Sequence, residues 1–147
     1  MKRQLRDLQK LYKFANDRNI VIEEVSKFEN EYAIGQYLGR FDFTLGDDPD
    51  YLQNIHVRIK SGLNPVLRLS TIAHEIGHDK HAFEMSSSLK SEMLAWDEGE
   101  KLLQQLKIRI PQGFYRAWQN HKESILFLQK MHRLVRIIEK EKNDLVS

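Results

Sequence analysis

Three features of the hydrophobic pattern predict an α+β fold. Apolar residues recur at helical spacing over residues 1–18, short alternating runs fill the chain to about residue 62, and helical spacing returns from residue 66 to the end. The expected order is an N-terminal helix, a small three-stranded sheet, a helix, a second helix and a long C-terminal helix. At 147 residues and 41% hydrophobic content, the chain is sized for one domain with a real core. Its central part would span about residues 20–107, with a helical extension over about 111–142.

Each element has a local reason. In residues 1–18, Leu5, Leu8, Leu11, Tyr12 and Ala15 fall three or four apart, as one helix face requires. "IVIEEV" (20–25) is short and β-branched, which suits a strand. "GQYLGRFDFTL" (35–45) alternates, with Tyr37, Gly39, Phe41 and Phe43 on one side, and "GDDPD" (46–50) signals a turn. "NIHVRIKSG" (54–62) puts Ile55, Val57 and Ile59 on one face and His56, Arg58 and Lys60 on the other, a half-buried strand. From Val66 the stripe Leu69, Ile72, Ala73 and Ile76 marks a helix to about His81. The serine run 86–88 breaks it, and another helix spans about 89–107. "RIPQG" interrupts again. The last helix runs from near Pro111 to about Lys142 through Phe114, Trp118, Ile125, Leu128, Met131, Val135 and Ile138, with a bend expected near His121.

Composition narrows the chemistry. There is no cysteine, so any metal must be held by His, Asp or Glu. The N-terminus is charged from its second residue and has no apolar signal core, and no run approaches a membrane span. A cytoplasmic location with no membrane partner is the expectation. Basic residues outnumber acidic ones six to two in 1–18 and ten to four in 101–147, whereas acidic residues lead fifteen to seven in 19–100. Basic ends without interleaved Arg and aromatic residues imply at most weak, salt-sensitive nucleic-acid binding.

The acidic middle contains "LSTIAHEIGHDKH" (69–81). Two histidines four apart on a helix share one face about 6 Å apart along the axis, so His74 and His78 can converge on one ion. Glu75 projects beside that pair, placed to accept a proton from an attacking water rather than to bind the metal. Gly77 has no side chain, which admits close approach by another helix or a substrate.

A catalytic zinc site takes three protein ligands and keeps a position open. Glu84 stands where one class of HExxH enzyme has its third histidine, and no glycine is found at 81, which excludes that class. His81 rises away from an ion centred between His74 and His78 and suits capping or substrate contact better. Glu92 is the favoured third ligand. It shares a helix face with Ala95, Trp96, Gly99, Leu103 and Leu106, and an unpaired carboxylate on such a packing face would be costly. Ala95 and Gly99 are small enough to let the two helices lie close. Asp97 and Glu98 fall off this face and read as solvated charges.

"HEIGH" followed by "EMLA" resembles the small gluzincins, single-domain zinc metallopeptidases that include the minigluzincins and the ImmA/IrrE-like group. The resemblance covers about residues 20–107. It implies His74, His78 and Glu92 as zinc ligands, Glu75 as general base, and a peptide or protein as substrate. It also implies that the last strand before the HExxH helix borders the cleft, so 54–60 is expected to be an edge strand that pairs with extended peptide. His56 on that strand is the expected oxyanion donor, with Tyr51, Tyr115 and His121 as rivals. The competing expectation is a metal-stabilised binding module for a protein or nucleic-acid partner, with little or no turnover. Substrate identity and oligomeric state are not specified by the sequence.

Overall fold

The computed structural model describes residues 2–29, 33–42, 53–81 and 88–146. The α+β order is as expected: helix α1 (Lys2–Asp17), strands β1 (Ile20–Val25), β2 (Gly35–Asp42) and β3 (Gln53–Lys60), helix α2 (Pro65–Gly77) continued by a 3-10 turn (His78–His81), and helices α3 (Ser88–Gln105) and α4 (Gln112–Val146). Tyr51, Phe43 and the 46–50 turn lie outside the described residues, as do residues 82–87.

Local chemistry sets the boundaries. α1 gives way to β1 at Asn19, which takes the left-handed conformation at φ 56°, as an Asn ending a helix can. At the start of α2, Asn64 caps the helix through its side-chain oxygen, which accepts from the Leu67 N–H at 2.9 Å, and Pro65 occupies the first turn. Lys107, at φ 57°, ends the chain's run through α3. The expected bend near His121 is not a break: α4 is helical without interruption for 35 residues.

The sheet corrects one expectation. Its order is β1-β3-β2, with β3 parallel to β1 and antiparallel to β2. The strand at 54–60 is therefore central, and its backbone is paired on both sides. β2 is the edge nearest the HExxH helix. An extra residue between Tyr37 and Arg40, against β3, makes a β-bulge in it. The expected alternation of β3 holds: Val57 and Ile59 are fully buried beneath α2, while His56 and Arg58 lie on the other face and share Glu23 of β1 at 3.0 and 3.2 Å.

α2 is the centre of the molecule. Every residue from Leu69 to Gly77 is buried, because α1, α3, α4 and the sheet all pack against this helix. Arg68 ties it to α1 and β1 through the Tyr12 hydroxyl and the Glu24 carboxylate. Its crossing with α3 is made by small residues. A Cβ on Gly77 would collide with the Ala95 carbonyl, and one on Gly99 would lie 2.9 Å from the Ala73 carbonyl. Both glycines are required by backbone contact rather than by unusual dihedral angles. α4 has two different halves. Phe114 is fully buried and Trp118 packs on the core, but every residue from 130 to 146 is exposed.

Gly77→Ala should therefore lower stability by about 2 kcal/mol or more, because a methyl there meets backbone rather than a movable side chain. Urea denaturation of the two proteins measures the difference, and an unchanged midpoint would refute the close crossing.

Candidate metal centre

α2 and α3 bring three donors together. His74 and His78 lie one turn apart, and Glu92 reaches them from α3 with one oxygen, Oε2, at 2.8 Å from His74 Nε2 and 3.1 Å from His78 Nε2. All three donor atoms fall within 4.8 Å of one another. The chain thus holds a His-His-Glu group that can take a metal ion. The expectation that Glu92 faces inward is met, with Ala95, Trp96 and Leu103 of the same face buried.

The electrostatics suit such an ion. Burial lowers the His74 pKa to about 4, against the opposing pull of Glu92, so its imidazole is neutral and able to ligate. Burial also acts to lower His78, but its hydrogen bond with Glu92 and the charges of Glu92 and Glu75 outweigh it, and the net shift is upward. Burial acts to raise Glu92, and the two histidine hydrogen bonds overcome it, holding this carboxyl far below the ordinary range. Two imidazoles and an ionised carboxylate are a donor set that divalent zinc accepts. His74 Nδ1 is buried without a hydrogen-bond partner among the described residues. Its ring is instead oriented by Trp96, whose centroid lies 4.2 Å away.

Glu75 is beside the triad and not part of it. It is almost fully buried, and burial pushes its pKa up to about 8. The backbone N–H of Tyr37 donates to its carboxylate. The approach of β2 depends on Gly35: a Cβ there would lie 2.5 Å from Thr71 Cγ2 and 2.6 Å from Glu75 Oε1. Tyr37 also donates its hydroxyl to Asp79 Oδ1 at 2.6 Å and stacks over the His78 ring. The start of β2 thereby clamps Glu75 from one side and the 3-10 turn from the other.

These groups line a cleft of about 710 Å³, with residues 33–37 on one wall and Trp96, Ala117, His121 and Ile125 on another. His56 is not in it, being held by Glu23 on the far face of the sheet. The expected role of His56 at the site is corrected by the same strand order that buries β3. Tyr115 is also elsewhere, half exposed against Phe114. His81 ends the 3-10 turn, and its side chain is outside the description.

Of the rivals, His121 is the one the structure brings to the centre. Its Nδ1 accepts from Trp96 Nε1–H at 3.0 Å and lies 3.7 Å from Glu92 Oε2. With Nδ1 accepting, the neutral ring carries its proton on Nε2. Trp96 stacks parallel to Trp118 with centroids 6.3 Å apart, which fixes α4 over α3. Gly35 and Tyr37 were not expected at the site. The one sequence signal for them was a glycine opening an aromatic strand. Glu98 also departs from expectation, since Lys80 and Lys101 cover it and leave its side chain 10% exposed.

The raised pKa of Glu75 makes a stability prediction for metal-free protein. The folded carboxyl keeps its proton to higher pH than the unfolded one, whose pKa is near 4.5. The stability it contributes is complete below that value and is lost as pH rises toward about 8. In the presence of chelator, Glu75→Gln should therefore be the more stable protein at pH 8, by on the order of 2–4 kcal/mol, and lose most of that advantage by pH 5. Melting curves at the two pH values test this. An advantage that does not grow with pH would contradict the buried, protonated carboxyl.

Comparison with family models, with curated proteins and with solved structures found no match to this chain, so the geometry of the site carries its interpretation.

Proposed function

We propose that the protein is a zinc-dependent peptidase of the gluzincin type, with His74, His78 and Glu92 as ligands and Glu75 as general base. One observation carries this reading. A buried glutamate that no ion needs stands next to a three-donor group, at the wall of an open cleft. A purely structural metal site has no use for such a group, and its burial is costly.

Zinc in this donor set would act as a Lewis acid on the scissile carbonyl and on water. The protein's own groups do the rest. Glu75 accepts the proton of the attacking water and delivers it to the leaving nitrogen. Its pKa, near neutrality before any cation is bound, suits it to both transfers. The Tyr37 N–H holds the carboxylate in place, and Gly35 leaves it room. His121, with its proton on Nε2, is the donor best placed to steady charge developing on the carbonyl oxygen, the role first expected of His56. Extended peptide would lie along the edge of β2 rather than along β3. A metal-stabilised binding module is the competing reading, and the bare apolar half of α4 favours it.

Glu75→Gln is expected to retain about one zinc per chain and to abolish hydrolysis in a proteome-wide cleavage screen. Glu92→Ala should lose the metal, as read by elemental analysis. Wild-type zinc content with cleavage equal to that of Glu75→Gln would select the binding module.

His121→Ala should keep zinc and reduce turnover by about tenfold or more, whereas His56→Ala should leave turnover within about twofold. Steady-state kinetics on a cleaved peptide compares them. The reverse order of effects would restore His56 to the mechanism.

A further inference from the structure

We propose that two copies of this chain associate through an antiparallel pairing of the second half of α4, residues 126–146. Along this stretch Leu128, Met131, Val135, Ile138, Lys142 and Leu145 recur at alternating three- and four-residue steps, the spacing of a helix seam that packs against another helix. The five apolar members are between 36% and 88% exposed, and Phe127 and Leu134 flank them at 59% and 42%. A helix this apolar on one side, with no residue from 126 to 146 buried, lacks the cover that stabilises amphipathic helices. Together these side chains present roughly 700 Å², close to the ~800 Å² that each partner contributes to a standard interface.

Charge selects the occupant and its direction. Residues 126–138 contain Lys130, Arg133 and Arg136 and no acidic residue, while 139–146 contain Glu139, Glu141 and Asp144 against Lys140 and Lys142. Parallel pairing sets the basic stretch against itself. Antiparallel pairing sets it against the acidic stretch of the other copy. An anionic membrane would attract the first stretch and repel the second.

Register adds a third argument. When Val135 faces the partner's Ile138, Leu128 faces the partner's Leu145, and the Met131 layer takes the stem of the partner's Lys142. His132 then comes opposite the partner's Glu139. This register overlaps residues 127–146 of both helices, the length that α2 and α3 leave bare. It also sets the partner's Leu145 over Leu128, which lines the rim of the metal-site cleft. Association would therefore narrow the entrance to that cleft.

Sedimentation velocity of the full chain should give a concentration-dependent species of twice 17.4 kDa. The double variant V135E/I138E should remain at the monomer mass with unchanged helical circular dichroism, since both positions are exposed. The chain has no cysteine, so single introduced thiols report orientation. L128C mixed with L145C should form a disulfide-linked pair under mild oxidation, and L128C alone should not. Self-linked L128C would overturn the antiparallel arrangement. A monomer up to hundreds of micromolar would overturn the pairing. So would a monomer that sediments with phosphatidylglycerol-containing vesicles and is released by V135E/I138E, which would assign the stripe to a membrane surface.

Discussion

The site depends on how closely α2 and α3 cross. Gly77 meets the Ala95 backbone, and Gly99 meets that of Ala73, so no side chain separates the helices there. At this separation the Glu92 carboxylate comes between two histidines without stretching from its own helix. A crossing wider by one methyl group would leave three partly buried polar side chains unable to satisfy one another. Either water or a distorted helix would then have to make up the hydrogen bonds. The same close crossing helps bury His74, while the start of β2 at Gly35 closes over Glu75. Their low dielectric surroundings follow from packing, and the pKa values follow from those surroundings.

Burial on this scale needs more than one neighbour. α3 covers one side of α2, the sheet another and α1 a third. The first half of α4 closes the remainder through Phe114 and Trp118, whose rings meet each other and Trp96 of α3 edge to face or in parallel. The same aromatic cluster orients two imidazoles. His74 lies against Trp96, and His121 takes the Trp96 N–H. An aromatic core and a polar site therefore share one residue, and repacking of the core at Trp96 would be felt at the metal ligands.

Much of this was legible because it is local. The i, i+4 histidines, the inward face bearing Glu92, the small residues at 77, 95 and 99, and the alternation of Ile55, Val57 and Ile59 are periodic patterns within single elements. What was not legible is long-range. Strand order cannot be read from strand pattern, and β3 looks the same whether it sits at an edge or between two partners. The error over His56 follows directly. Its polar face was correctly identified, but that face turns to Glu23 because β1 lies alongside in parallel. His121 is 43 positions beyond His78 in the numbering of the chain and reaches the site only through the placement of α4. Gly35 illustrates the same limit. A glycine at the head of a strand is unremarkable until the helix lying across it is known.

The two walls of the cleft differ in kind, and that difference bears on substrate access. The β2 wall is fixed by backbone: the Tyr37 N–H holds Glu75, and Gly35 has no room for a side chain. Any change there moves the base itself. The α4 wall is made of side chains, Ala117, His121, Ile125 and Leu128, on a helix that continues beyond the body of the protein. Ala117, Ile125 and Leu128 can vary, or be covered, with little effect on the donor triad, whereas His121 lies 3.7 Å from the Glu92 carboxylate and is tied to it. Discrimination among ligands is therefore expected on the α4 side, where apolar residues border the opening, and proton transfer on the β2 side, where the backbone allows no variation. The bare stripe of α4 begins at that same border with Leu128, so whatever covers the stripe also shapes the entrance without touching Glu75.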